Sequence, residues 1–204
     1  MKTRLASALG DDVAYELYLC FLADISAMTR QVHAQTIIVY SGPAGVSFPD
    51  FPDVPCLCQR GCDIGERMYF ALQDVFALGF ERCVLTGSDI PDLPAEIIND
   101  AFKILHSTDV VLGPSADGGY YLVGGKKDTL RQSIFSDIPW STDSVFPATI
   151  KRIAEAGFAA AELPEWSDID EIKDLKNFYQ RNSHEASSSK VIHFLEKKGI
   201  MNEL

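Results

Sequence analysis

The chain has 204 residues, 47% hydrophobic and 23% charged, and its 18 basic and 29 acidic side chains give a formal net charge of −11. That length suits one domain, or one domain with an appendage, and is enough to bury a substantial core. The acidic balance argues against a nucleic-acid surface, which wants a basic footprint, and against anionic membranes. It leaves nucleotides open, because a few local cations or a metal can hold a phosphate. No apolar run is long enough for a membrane span. Met1-Lys2-Thr3-Arg4 is not followed by an apolar secretory core, so the expected compartment is the cytoplasm. Five cysteines is an odd count, and they read as free thiols. Cys56, Cys58 and Cys62 have the spacing C-x-C-x₃-C with no histidine nearby, unlike the usual zinc patterns.

In chain order, residues 11–33 carry a helical pattern in which Val13, Leu17, Cys20, Phe21 and Ile25 recur on one face. Gln35 to Tyr40 is β-branched and apolar and ends at Ser41-Gly42-Pro43, which predicts a strand and a turn. Residues 43–55 form a loop, and Pro55 to Gln59 is a short strand. Ile64 to Leu78 is helical, with Gly79 as its stop. Strand 82–86, helix 94–105, strand 109–112 and strand 120–124 follow. Ser144 to Ala156 is helical, Ala159 to Leu163 a strand, and Asp170 to Gln180 helical. The alternation predicts a mostly parallel sheet covered on both faces, an α/β/α three-layer arrangement. The domain spans 1–181, a polar linker 182–189 follows, and 190–204 is a helical appendage. Val191, Ile192, Phe194 and Leu195 give that helix an apolar stripe, which docks on the body or on a second copy as a homodimer.

Chemistry-bearing residues cluster at the predicted strand ends. Ser88 and Asp89 follow strand 82–86, at the carboxyl edge where open α/β sheets bind ligands. A carboxylate there suits a hard divalent cation holding phosphates; the plainer role is a cap for the next helix. Lys2, Thr3 and Arg4 place two cations beside a hydroxyl, which suits a pyrophosphate or simply a solvated end. Gln59 to Met68 combines glycines that admit close backbone approach with Arg67 on the first helical turn. Asp117, Gly118 and Gly119 read either as a hairpin turn or as an acceptor loop with a carboxylate placed for proton transfer. Asp168 and Asp170 fall on one face of an extended segment, where they suit a cation or a helix cap. No Gly-x-Gly-x-x-Gly follows a predicted strand, which counts against a dehydrogenase.

Six motifs in order carry a resemblance: Lys-Thr-Arg-Leu at 2–5, Gly-x-x-x-Gly-Glu-Arg-Met at 61–68, Leu-Thr-Gly-Ser-Asp-Ile-Pro-Asp-Leu at 85–93, Leu-Gly-Pro-Ser-Ala-Asp-Gly-Gly-Tyr-Tyr-Leu at 112–122, Ile-Pro-Trp-Ser-Thr at 138–142, and Asp-Ile-Asp-x-x-x-Asp-Leu at 168–175. Over roughly residues 1–180 the chain resembles bacterial glycosyltransferases of GT-A fold, the radical-SAM/selenodomain-associated transferases. More distantly it is similar to molybdenum-cofactor and 2-phospho-L-lactate guanylyltransferases.

The resemblance implies a nucleotide-diphospho-sugar transferase fold that uses Mg²⁺ or Mn²⁺, a nucleotide or nucleotide-sugar and a small-molecule acceptor. It implies Asp89 as metal ligand, with Asp168 and Asp170 as further metal contacts. Lys2, Thr3, Arg4, Arg67 and Ser88 would hold the nucleotide. Gly118, Gly119, Tyr120, Trp140, Ser141 and Thr142 would face sugar or acceptor. Asp117, Lys2 and Arg4 would serve the chemistry. Nucleotidyl transfer of the guanylyltransferase type, and a shortened non-catalytic module, are the alternatives. Members of the family begin with a central strand and a Pro-Gly turn before Lys-Thr-Arg-Leu, whereas this sequence starts at Met1 directly before Lys2. The expectation is therefore a sheet without that strand.

Overall fold

The computed structural model describes residues 3–183 and 189–200. The expected phosphate-binding Lys2, residues 184–188 of the expected linker and residues 201–204 of the expected appendage lie outside the described residues. The chain divides into two compact units, one built from residues 1–31, 88–94 and 167–204 and the other from 32–87 and 95–166.

The smaller unit is helical. α1 (Thr3–Leu9) and α2 (Asp11–Thr29) are separated by Gly10, whose φ of 85° breaks the helical run. The hydrophobic pattern gives no warning of α1, because only Leu5 and Leu9 are large and apolar within it. α2 stops at Thr29, short of the expected 33, where Gln31 N–H closes a turn on the Met28 carbonyl. α7 (Ile172–Asn182) is fixed at its start by a reciprocal cap between Glu171 and Asp174.

α8 (Lys190–Lys198) is positioned at both ends. The Asp24 carboxylate on α2 accepts from Ser189 Oγ (2.7 Å) and from the backbone N–H groups of Lys190 (2.7 Å) and Val191 (3.1 Å). It thereby satisfies donors that a helix start leaves open. Near the other end Lys198 pairs with Glu16 at 2.8 Å, and Gly199 takes the left-handed cap. Leu5, Leu17, Phe21, Phe178, Val191 and Leu195 close the core of this unit. Each such side chain contributes about 1.5–3 kcal/mol by leaving water.

The larger unit holds the strands. β1 (Ile38–Tyr40) pairs in parallel with β2 (Cys56–Cys58), and α3 (Ile64–Ala77) follows. The second sheet has the order β3-β5-β4-β6, from β3 (Arg82–Thr86), β5 (Tyr120–Lys126), β4 (Val110–Pro114) and β6 (Ala160–Glu162). β3 and β4 both run antiparallel to β5, and β6 is parallel to β4. Three of its four strands therefore share one direction, and the sheet is mostly parallel with β5 reversed. α4 (Ala95–Ile104) links β3 to β4; a short α5 (Gln132–Phe135) and then α6 (Val145–Glu155) link β5 to β6. α5 is a single turn, too brief to leave a period in the sequence. No helix among the described residues is long and apolar enough to cross a membrane.

Candidate functional site

In the smaller unit the turn 88–94 and the segment 167–171 are zipped together. The Ile169 N–H donates to the Asp89 carbonyl at 2.9 Å, which ties the backbone carrying Asp89 to the residue flanked by Asp168 and Asp170. Asp89, Asp168 and Asp170 are all half-buried. Arg4 Nη1 reaches Asp170 at 2.8 Å and Glu171 at 3.4 Å. The expected phosphate-binding cation thus shares its charge with one of the expected metal carboxylates. Among the described residues no set of three or more histidine, cysteine or acidic side chains is gathered closely enough to hold a metal ion.

Two contacts here went unread in the sequence. Tyr18 Oη and Ser88 Oγ share a 3.0 Å hydrogen bond. Asp92 accepts from Arg181 Nε (2.6 Å), Arg181 Nη2 (3.1 Å) and Asn182 Nδ2 (2.8 Å). Arg181 Nη2 also donates to the Ser167 carbonyl at 3.3 Å. With the Asp92 side chain only 9% exposed, this two-pronged ion pair pins the turn that carries Asp89. Asp92 lies inside the same Ser-Asp-Ile-Pro-Asp motif, so the second acid of that motif was the available signal.

In the larger unit, Asp117, Gly118 and Gly119 make the turn from β4 to β5. The Asp117 carboxylate accepts from the Gly119 N–H at 2.9 Å, and Gly118 N–H donates to the Ser115 carbonyl at 3.0 Å. Gly118 has φ of 89°, and a Cβ on it would lie 2.3 Å from the Asp143 Cα. Glycine is needed there on both counts. Its carbonyl accepts from Phe146 N–H at 2.9 Å, so the turn is fastened to the start of α6. Asp117 is exposed.

Trp140 stands edge-on to Tyr120, with ring centroids 6.3 Å apart, and crosses α3 at Gly65, where a Cβ would lie 2.7 Å from the indole. Ser141, at φ of 66°, and Thr142 are exposed, and the Thr142 hydroxyl donates to the Pro139 carbonyl at 2.7 Å. The expected group Asp117–Tyr120 and Trp140–Thr142 is thus joined through the Tyr120–Trp140 contact. The Tyr120 hydroxyl is buried without a hydrogen-bond partner among the described residues. Burial raises its ionisation well above the usual phenol range, with Thr149 a weaker opposing influence.

Arg67 is half-buried, and its Nε donates to the Gly61 carbonyl at 3.3 Å. Asp63 caps α3 by accepting from Glu66 N–H at 2.8 Å, and Glu66 reaches back to Cys62 N–H at 2.8 Å. The Gly-x-x-x-Gly-Glu-Arg motif is therefore, in this unit, a helix start with Gly61 giving way to the backbone of Arg67. All five cysteines are free thiols.

Residues 24–142 match the family described as "Uncharacterized protein conserved in bacteria (DUF2064)". No curated protein matches the chain. Among solved structures, a "putative nucleotide-diphospho-sugar transferase from Desulfovibrio desulfuricans G20" is 35% identical, with a TM-score of 0.90 over 98% of this chain and 89% of its own. Rv0371c of Mycobacterium tuberculosis H37Rv is 15% identical, with a TM-score of 0.53 over 78% of this chain and 84% of its own. Its homologue from Mycobacterium sp. strain JC1 is 18% identical, with a TM-score of 0.50 over 80% and 83%. These last two bear on the fold alone.

Proposed function

Because the chain belongs to the bacterial DUF2064 family, and is similar over 98% of its length to a structure named for nucleotide-diphospho-sugar transfer, we propose that it is a transferase with a nucleotide-diphospho-sugar donor. That similarity, at a TM-score of 0.90, is the observation that carries the reading. In this reading Arg4 of the smaller unit is a cation for the diphosphate, Lys2 is the second by its place in the sequence, and Ser88 contributes a hydroxyl. Asp89 and Asp168 are the hard oxygen donors for Mg²⁺ or Mn²⁺, on segments that share the Ile169–Asp89 bond. Asp170 is engaged by Arg4 and serves to hold that arginine. A bound divalent ion supplies charge neutralisation for the departing nucleoside diphosphate. In the larger unit, we read the Asp117 turn with Tyr120, Trp140, Ser141 and Thr142 as the surface that meets sugar or acceptor, and Arg67 as a nucleotide contact.

The test is a thermal-shift panel of nucleotide sugars and nucleoside triphosphates with and without Mn²⁺, followed by product analysis. A donor at 100 times its Kd stabilises the folded state by about 2.7 kcal/mol, a rise in Tm of roughly 5–10 °C for a chain of this size. Asp89→Ala is expected to remove the metal-dependent part of that rise while leaving the unliganded Tm within about 2 °C. Release of nucleoside diphosphate supports the proposal. Release of inorganic diphosphate replaces it with nucleotidyl transfer. Binding without turnover of any donor replaces it with a nucleotide-binding module.

A further inference from the structure

Tyr18 of α2 touches a residue assigned to the nucleotide and has no role of its own in that reading. It follows Leu17, precedes Phe21 by one helical turn, and packs against the core those two share. Its ring stands edge-on to Phe21, with centroids 6.4 Å apart. The ring is therefore held on its apolar side. A half-buried phenol also needs a partner for its hydroxyl, and Tyr18 Oη finds it in Ser88 Oγ at 3.0 Å.

Two hydroxyls joined by one bond carry two protons and use one of them. A phenol is the stronger donor and an alkyl hydroxyl the stronger acceptor, because the phenol oxygen shares a lone pair with its ring. The Tyr18 O–H therefore donates and Ser88 Oγ accepts. Ser88 keeps its own proton, and among the described residues no acceptor is bonded to it. Accepting from Tyr18 polarises the serine hydroxyl and makes it a better donor outward.

The backbone that carries Ser88 is fixed as well. Asp92 in the same turn is clamped by Arg181 at 2.6 Å, and the Asp89 carbonyl is tied to Ile169. What Tyr18 restrains is the freedom that Ser88 has left, the rotation of its side chain. A polarised and oriented O–H suits an anionic oxygen, to which a hydrogen bond is roughly twice as strong as to a neutral one. We propose that Tyr18 is a positioning residue for nucleotide binding: it aims the Ser88 hydroxyl, whose proton goes to a diphosphate oxygen of the bound nucleotide. The inference rests on the transferase reading above, and adds to it a residue that lies outside the six sequence motifs.

The experiment uses the full chain as wild type, Tyr18→Phe, Ser88→Ala and the double variant. Each is titrated calorimetrically with GDP, UDP, ADP and CDP in the presence of Mn²⁺, and the tightest wild-type ligand is compared across all of them. Ser88→Ala is expected to weaken that ligand at least ~10-fold, the loss of a hydrogen bond to a charged group. Tyr18→Phe keeps the ring and removes the donor, and is expected to weaken it about 3–10-fold by returning rotational freedom to Ser88. The double variant should match Ser88→Ala to within about 2-fold, since Tyr18 acts through Ser88. Equal losses in the two single variants mean that the bond merely braces the turn, and overturn the positioning role. Wild-type affinity in Tyr18→Phe overturns it too, as does a double variant weaker than Ser88→Ala by the full Tyr18→Phe factor. If no nucleoside diphosphate binds the wild type, the transferase reading falls and takes this inference with it. Wild-type binding that survives both single variants removes the inference alone.

Discussion

β3 and β4 are the same kind of segment in two different situations. Each has five residues, each is rich in apolar side chains, and each pairs antiparallel with β5. β4 also has β6 on its other edge, and its Val110, Val111 and Leu112 are fully buried. Among the described residues β3 has β5 alone, and all five of its residues are half-buried. A strand's burial is thus set by its neighbours, so composition predicts a strand without predicting what the strand contributes to stability.

The comparison breaks most visibly with alanine. Leu112→Ala is expected to cost about 2–5 kcal/mol in urea unfolding, and Leu85→Ala about half that, because the second site already has access to water. Equal costs would mean that β3 is as enclosed as β4. Gly124 sharpens the contrast, since it sits on β5 between both strands. A Cβ there would lie 2.9 Å from Val111 Cγ1 and 2.9 Å from Val84 Cγ2. Gly124→Ala is expected to cost about 1–3 kcal/mol from overpacking. The displacement should appear as chemical-shift changes larger in β3 than in β4, because among the described residues no strand lies on the far side of β3.

The smallest effect concerns pH. Burial pushes the Cys83 thiol on β3 up to about 12. A raised value favours the protonated form in the folded state, so its contribution is complete below the ordinary thiol range and is lost as pH rises from there toward 12. Stability should fall across that window more steeply in the native chain than in Cys83→Ala. Tyr121, also pushed up to about 12 by burial, titrates in both and cancels from the difference. Identical pH profiles would remove Cys83 from the account.

The same contrast explains what was legible in the sequence. The strand 82–86 is readable to the residue, and the apolar stripe of the helix that starts at 190 is readable too, because apolar runs and stripes are local properties. The Asp89 turn is readable as a motif for the same reason. The clamp from Arg181 to Asp92 spans 89 positions, and the pairing of Arg4 with Asp170 spans 166. Nothing near either residue encodes its partner. The sequence likewise shows Asp168 and Asp170 on one face of an extended segment, while Arg4's hold on Asp170 emerges only on folding.

The smaller unit is stitched from three separated stretches of chain, and this gives its assembly a direction in time. α1 and α2 leave the ribosome well before Val191 and Leu195, which complete the core around Leu17 and Phe21. At ordinary synthesis rates that interval is roughly 10–30 s. Throughout it, the apolar face of α2 has no native cover from α8, and the Asp24 carboxylate waits for the helix it will cap. The core of the smaller unit can therefore close only after α8 has emerged.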